Sequence, residues 1–138
     1  MRALIATILL LLPACHAPTM TVRDVVTPQA SPYTVSANAE SLRDNYYAIA
    51  ISIKNGSRDA LALDPTMFEL SGPPAIYLRL VRLSFGRSAF RMPARVPPDR
   101  DGNGQVFFQM QPGHDTPKNA TLHVHLPDGD HQVVFDVD

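Results

Sequence analysis

Asn45-Tyr46-Tyr47-Ala48-Ile49-Ala50-Ile51-Ser52-Ile53-Lys54-Asn55 decides the fold. Tyr47, Ile49, Ile51 and Ile53 take every second position, and the residues between them are small or amphipathic. A large apolar group at period two sets one face of a strand against a core and leaves the other for water. Isoleucine, branched at Cβ, also favours extended backbone. Ser41-Leu42-Arg43-Asp44, just upstream, is close in shape to a helix capping box. A helix would scatter the Tyr/Ile set around its axis, so the strand prevails. Asn55-Gly56-Ser57 then supplies the turn.

Downstream, short strands are expected at Ala60–Leu63, Thr66–Leu70 and Ile76–Leu83, divided by Asp64-Pro65 and Gly72-Pro73-Pro74. Gln105 to Gln111 places Val106, Phe108 and Met110 on one side. The last segment reads as a hairpin about Asp128-Gly129 in a type I′ turn, setting Leu126 opposite His131, Val124 opposite Val133 and Leu122 opposite Phe135. Upstream, His16 to Ser31 is mostly polar or small, with Pro18 and Pro28 inside it. It reads as a tether, within which Thr21–Val26 has the character of an edge strand.

With 13 Pro, 7 Gly and no long helix-forming stretch after the first residues, seven or eight short strands make an all-β antiparallel sandwich. A single Cys and no Trp leave its core to Ile, Leu, Val and Phe alone. The length suits one domain.

The first fifteen residues have a separate logic. Arg2 is positive, Ala3–Leu12 is an apolar run too short to span a bilayer, and Leu12-Pro13-Ala14-Cys15 closes it. The layout is that of a secretory signal, and its ending resembles the lipobox of bacterial lipoproteins. That resemblance implies a signal peptide over 1–14, a lipid-modified Cys15, a tether over 15–32 and a sandwich over 33–138. His16, where Asp would signal retention at the inner membrane, implies the outer membrane; a secreted or periplasmic chain is the alternative location. Thioether formation would also remove the one thiol, which cannot form an internal disulfide. The strand order, the Asn55-Gly56 turn and Val96-Pro97-Pro98 leading into Gly104-Gln105-Val106-Phe107-Phe108 look like the small immunoglobulin-like domains of bacterial envelope lipoproteins, over roughly Tyr33 to Val137.

Charge excludes a general grip on nucleic acid. Without Arg2, 11 Lys and Arg face 13 Asp and Glu, a net charge near −2. The distribution is uneven: Ala75 to Pro98 contains no acid, whereas Asp99 to Asp138 has seven acids against Arg100 and Lys118. Within the acid-free stretch Arg87, Phe90, Arg91 and Arg95 form the candidate partner surface, since arginine and aromatics are enriched at binding hot spots and a guanidinium fork suits carboxylate or phosphate. The expected partners are the membrane, through the lipid, and an envelope protein or anionic envelope component.

His114, His123 and His125 are the candidates for a copper or zinc site, with Met110 beside them. The hairpin register turns His123 and His125 onto a solvated face, so no metal or other cofactor is expected. Asp99-Arg100-Asp101-Gly102-Asn103-Gly104 matches half of a calcium loop, but its twelfth position is Met110 rather than a bidentate Glu, and it reads as a turn. Asp128 and Asp130 read as solvated turn residues. Asn55-Gly56-Ser57 and Asn119-Ala120-Thr121 are formal glycosylation acceptors of no weight here. No Gly-x-Ser-x-Gly or His-Glu-x-x-His occurs. The expectation is a non-enzymatic lipoprotein for binding or structural support. Two alternatives stand beside it: an inhibitor or immunity lipoprotein against an envelope-targeting enzyme, and a periplasmic copper or zinc carrier.

Overall fold

The computed structural model describes residues 19–41, 46–72, 76–80, 90–109 and 118–137. Residues 1–14, Cys15, Arg87, Met110 and His114 lie outside them, as do residues 42–44 of the alternative helix start.

Among the described residues the strands are β1 (Met20–Val26), β2 (Tyr33–Ser41), β3 (Tyr46–Asn55), β4 (Leu61–Ala62), β5 (Phe68–Gly72), β6 (Ile76–Leu80), β7 (Phe90–Arg91), β8 (Arg95–Val96), β9 (Arg100–Gln109), β10 (Asn119–Leu126) and β11 (Gly129–Val137). One sheet runs β1-β11-β10-β5-β6, and the other runs β6-β9-β3-β2 with β7 also on β9. All pairs are antiparallel. β6 joins the sheets: its first three residues pair with β5 and its last two with β9. The fold is an all-β antiparallel sandwich. No helix among the described residues is long and apolar enough to cross a membrane.

The opening stretch is the centre of the second sheet. Tyr47, Ile49, Ile51 and Ile53 are all buried and lie opposite Phe108, Val106, Gly104 and Gly102 on β9. On the other side Ile49, Ile51 and Ile53 face Ala39, Ala37 and Val35 of β2. The first sheet answers with Leu70, Leu122, Val124, Val133 and Phe135, each fully buried. Complete burial of one such side chain contributes about 1.5–3 kcal/mol. These residues form one continuous core.

Three expectations need correction. First, part of the stretch read as a tether is structure: β1 pairs with β11 from Met20↔Val137 to Val26↔Gln132, and Met20 is buried. The sandwich therefore begins at Met20, ahead of Tyr33.

Second, the hairpin turns one residue earlier than expected, at Pro127-Asp128, which shifts the pairing register by two. Leu126 pairs with Gly129, so Val124 lies opposite His131, Leu122 opposite Val133 and Ala120 opposite Phe135. Pro127 is the reason, because it has no N–H for the ladder and its ring holds φ where a turn needs it. Gly129 follows at φ 137°, a conformation that costs glycine little. A shift of two preserves parity, so every side chain keeps its expected face.

Third, Asp99–Gly104 is not a turn. The turn is confined to Pro98 and Asp99, and β9 starts at Arg100. Gly104 serves a close approach, since a Cβ there would overlap the Arg91 carbonyl oxygen of β7. Similarly, the strand expected from Thr66 begins at Phe68, after a 3-10 turn over Pro65–Met67 capped by Asp64.

Candidate functional site

Two surfaces carry chemistry among the described residues. The first is the arginine surface. Arg91 on β7 and Arg95 on β8 are exposed, and neither has a carboxylate partner among the described residues. The Arg91 guanidinium lies 5.1 Å from the centroid of the Phe107 ring, a cation–π distance that holds the charge in place without neutralising it. β7 is laid tightly on β9 at Gly104, and β8 pairs with β4 through Leu61↔Val96 and Ala62↔Arg95. Met92 and Val96, between and beside the arginines, are buried and anchor the segment. Phe90 belongs to the interior rather than to the partner surface: it is half-buried, packs against the core, and its ring lies 5.3 Å from that of Phe68.

The second surface is the outer face of the β5-β10-β11 sheet. His123 and His125 alternate outward along β10, their rings stacked at 6.0 Å. The cross-strand partners are Glu69 on one side of His123, Gln132 on its other side, and Asp130 opposite His125. Asp130 joins the two imidazoles: Oδ2 lies 2.9 Å from His123 Nδ1, and Oδ1 lies 3.4 Å from His125 Nδ1. Gln132 donates to Asp130 Oδ2 at 2.9 Å, and His125 Nε2 is 3.6 Å from Glu69. Burial by itself pushes the Asp130 carboxyl up, but hydrogen bonds from His123 and Gln132 and the two imidazole charges outweigh it, and the group is held below the usual carboxylate range.

Ser71 Oγ completes the row, 3.1 Å from His123 Nε2. Hydroxyl, imidazole and carboxylate thus stand in the order that activates a serine for acyl transfer. That chemistry also needs donors aimed at a developing oxyanion. Here Ser71 sits inside the sheet, paired with Thr121 on one side and Tyr77 on the other, so the local backbone N–H groups are committed to the ladder. Among the described residues the row orders the histidine face of the sheet. As for the metal candidates, among the described residues no three His, Cys, Asp or Glu side chains are arranged to hold an ion.

Sequence reasoning missed both acids' roles. Asp130 orders the histidine pair, and Asp128 lies 3.0 Å from Nε2 of His131. His131 is fully buried, with its ring edge against Tyr33 and its Nδ1 without a partner among the described residues. Burial raises the Asp128 carboxyl, yet hydrogen bonds from Ser31 and His131 and the His131 charge bring it below its ordinary range. Asn55 is fully buried as well. Its Nδ2 donates to the carbonyls of Asp59 and Val96, and its Oδ1 accepts from Ser57 N and Oγ. A side chain so committed is no glycosylation acceptor. The signal for these contacts was present in the period-two faces, but pairing across strands required the true register.

Residues 16–131 match a family model described as a domain of unknown function, DUF4352. No curated protein and no solved structure matches the chain. The match covers most of the sequence, from the residue after Cys15 to the buried His131, and the chain therefore belongs to the DUF4352 family.

Proposed function

We propose that this protein is a non-enzymatic envelope lipoprotein, anchored through Cys15, whose sandwich presents a cationic edge to an acidic protein or another anionic envelope component. The observation that carries the reading is the state of Arg91 and Arg95. Both are exposed on short strands fastened to the core by Met92 and Val96, and neither is matched with an acid among the described residues. A guanidinium held against Phe107 loses little further freedom on binding, which favours recognition by a rigid fork. The anchor is supported by the lipobox-like ending at Cys15 and by a family match that opens at residue 16, where a processed chain would continue.

The test is crosslinking in intact cells with the wild-type chain and with Arg91→Ser plus Arg95→Ser. The partner bands should weaken strongly in the double variant and should also fade as salt is raised, since exposed charges are screened. An identical band pattern from both chains would remove the arginine edge as the binding surface.

A further inference from the structure

The described residues expose three large hydrophobic side chains, and all three are on one strand: Val22, Val25 and Val26 of β1, at 37%, 43% and 47% exposure. β1 is the strand nearest Cys15, with five residues' advance from Cys15 to Met20. A fully extended backbone covers that distance in at most about 17 Å. We propose that the β1 edge is a lipid-contact surface, resting on a phospholipid headgroup layer beside the acylated cysteine.

The register sets Val22 and Val25 on the core-facing side of β1, and the open edge of the sheet leaves them partly exposed. Val22 lies opposite Phe135 and Val25 opposite Val133, both core residues of β11. A bulge between Val22 and Asp24 inserts Arg23, and this extra residue keeps Val25 on the same side as Val22. Val26, opposite Gln132, emerges on the other side. The rim of the sandwich is thus apolar on both sides of one edge strand.

A second copy or an added strand is the rival occupant, and β1 is built against it. A bulge and adjacent charges are the devices by which edge strands resist pairing, and β1 carries both at Arg23 and Asp24. A headgroup layer makes no demand for strand pairing, and its water can satisfy the free backbone edge, which also limits the contact to shallow depth. The charges at this edge balance: Arg23 pairs with Asp136 at 3.4 Å, Asp24 Oδ1 accepts from Val25 N, and Lys118 lies beside the β11 end. Zwitterionic lipid should therefore serve as well as anionic lipid. The short tether gives the edge a high effective concentration at the surface, so a weak contact is enough.

The geometry also orients the arginines. β7 lies on the far side of β9 from β3 and β2, across the sandwich from β1. A molecule resting on β1 turns Arg91 away from the bilayer.

This inference rests on the anchor proposed above, and the experiment separates the two. The chain has no Trp, so Val25→Trp and, as a control on the opposite side, Gln105→Trp each give a single reporter. Each full chain, purified with its native modification, is placed in phosphatidylcholine vesicles containing a doxyl-labelled phosphatidylcholine as quencher. Quenching is expected to be several-fold stronger at position 25 than at position 105, and unchanged when anionic lipid is added. Equal quenching at the two positions overturns the proposal. So does emission at position 25 that shifts to the blue with protein concentration, since a second copy then covers the edge. Intact mass of the same samples reports the acyl group. If none is present, each chain is coupled through Cys15 to a maleimide lipid and measured again: selective quenching at 25 then retains the edge and discards only the natural anchor, and equal quenching discards the edge.

Discussion

At the scale of single residues, stability and chemistry separate cleanly. Tyr47 is almost fully buried, its hydroxyl has no partner among the described residues, and burial pushes its phenol up. Removing an unpaired buried hydroxyl while keeping the ring costs little, so Tyr47→Phe should equal or exceed wild-type stability by up to about 1 kcal/mol in urea unfolding. Asn55 is the opposite case. Asn55→Ala would strip partners from the Asp59 and Val96 carbonyls and from Ser57, and should lose about 2–3 kcal/mol in the same assay. Alongside Asp128, whose carboxyl is also lowered, Asp130 contributes to acid sensitivity. Its folded carboxyl is held below the ordinary range, so its contribution is complete above the unfolded value and disappears as pH falls through the folded one. Wild type should therefore lose stability below about pH 4, and Asp130→Asn should be weaker near pH 6 but show a flatter decline into acid. Urea midpoints across that range read the difference directly; parallel declines would exclude Asp130 as a source.

Elements show what the sequence makes legible. β3 is plain because its inward set is large and its outward set is small. β2 escaped notice because its inward residues, Val35, Ala37 and Ala39, hardly differ in size from Thr34, Ser36 and Asn38 between them. It is a strand because β3 offers it a partner. The hairpin's faces are legible in the alternation of Leu122, Val124 and Leu126, but its register depends on Pro127 as well as on Asp128-Gly129. At the site the same limitation operated: Arg91 and Arg95 could be singled out from composition, whereas the His123–Asp130–His125 bridge depended on a pairing two residues away from the expected one. Gly104 tests how the arginine edge is fastened. Gly104→Ala would drive a methyl into the Arg91 carbonyl and should detach β7, seen as faster amide exchange over residues 90–96 with β10 and β11 unaffected. Uniform exchange across the molecule would show that β7 is not held at that point.

The whole molecule is a sandwich with different chemistry on different strands: exposed valines on β1, the first strand after Cys15 in the sequence, and exposed arginines on β7 and β8. Under the proposed anchor and lipid contact, the domain would meet its surroundings in a fixed orientation rather than by free tumbling. The proposed anchor also joins the sequence to the fold, because Met20 enters β1 only five positions after Cys15 and leaves little slack. Everything proposed about place and partner depends on that cysteine. The direct measurement is mass spectrometry of the N-terminal peptide from the natural protein isolated with its membrane fraction. The account predicts a chain that starts at Cys15 and carries acyl chains on its sulfur and amine; a chain starting elsewhere, or a free thiol at Cys15, would contradict it.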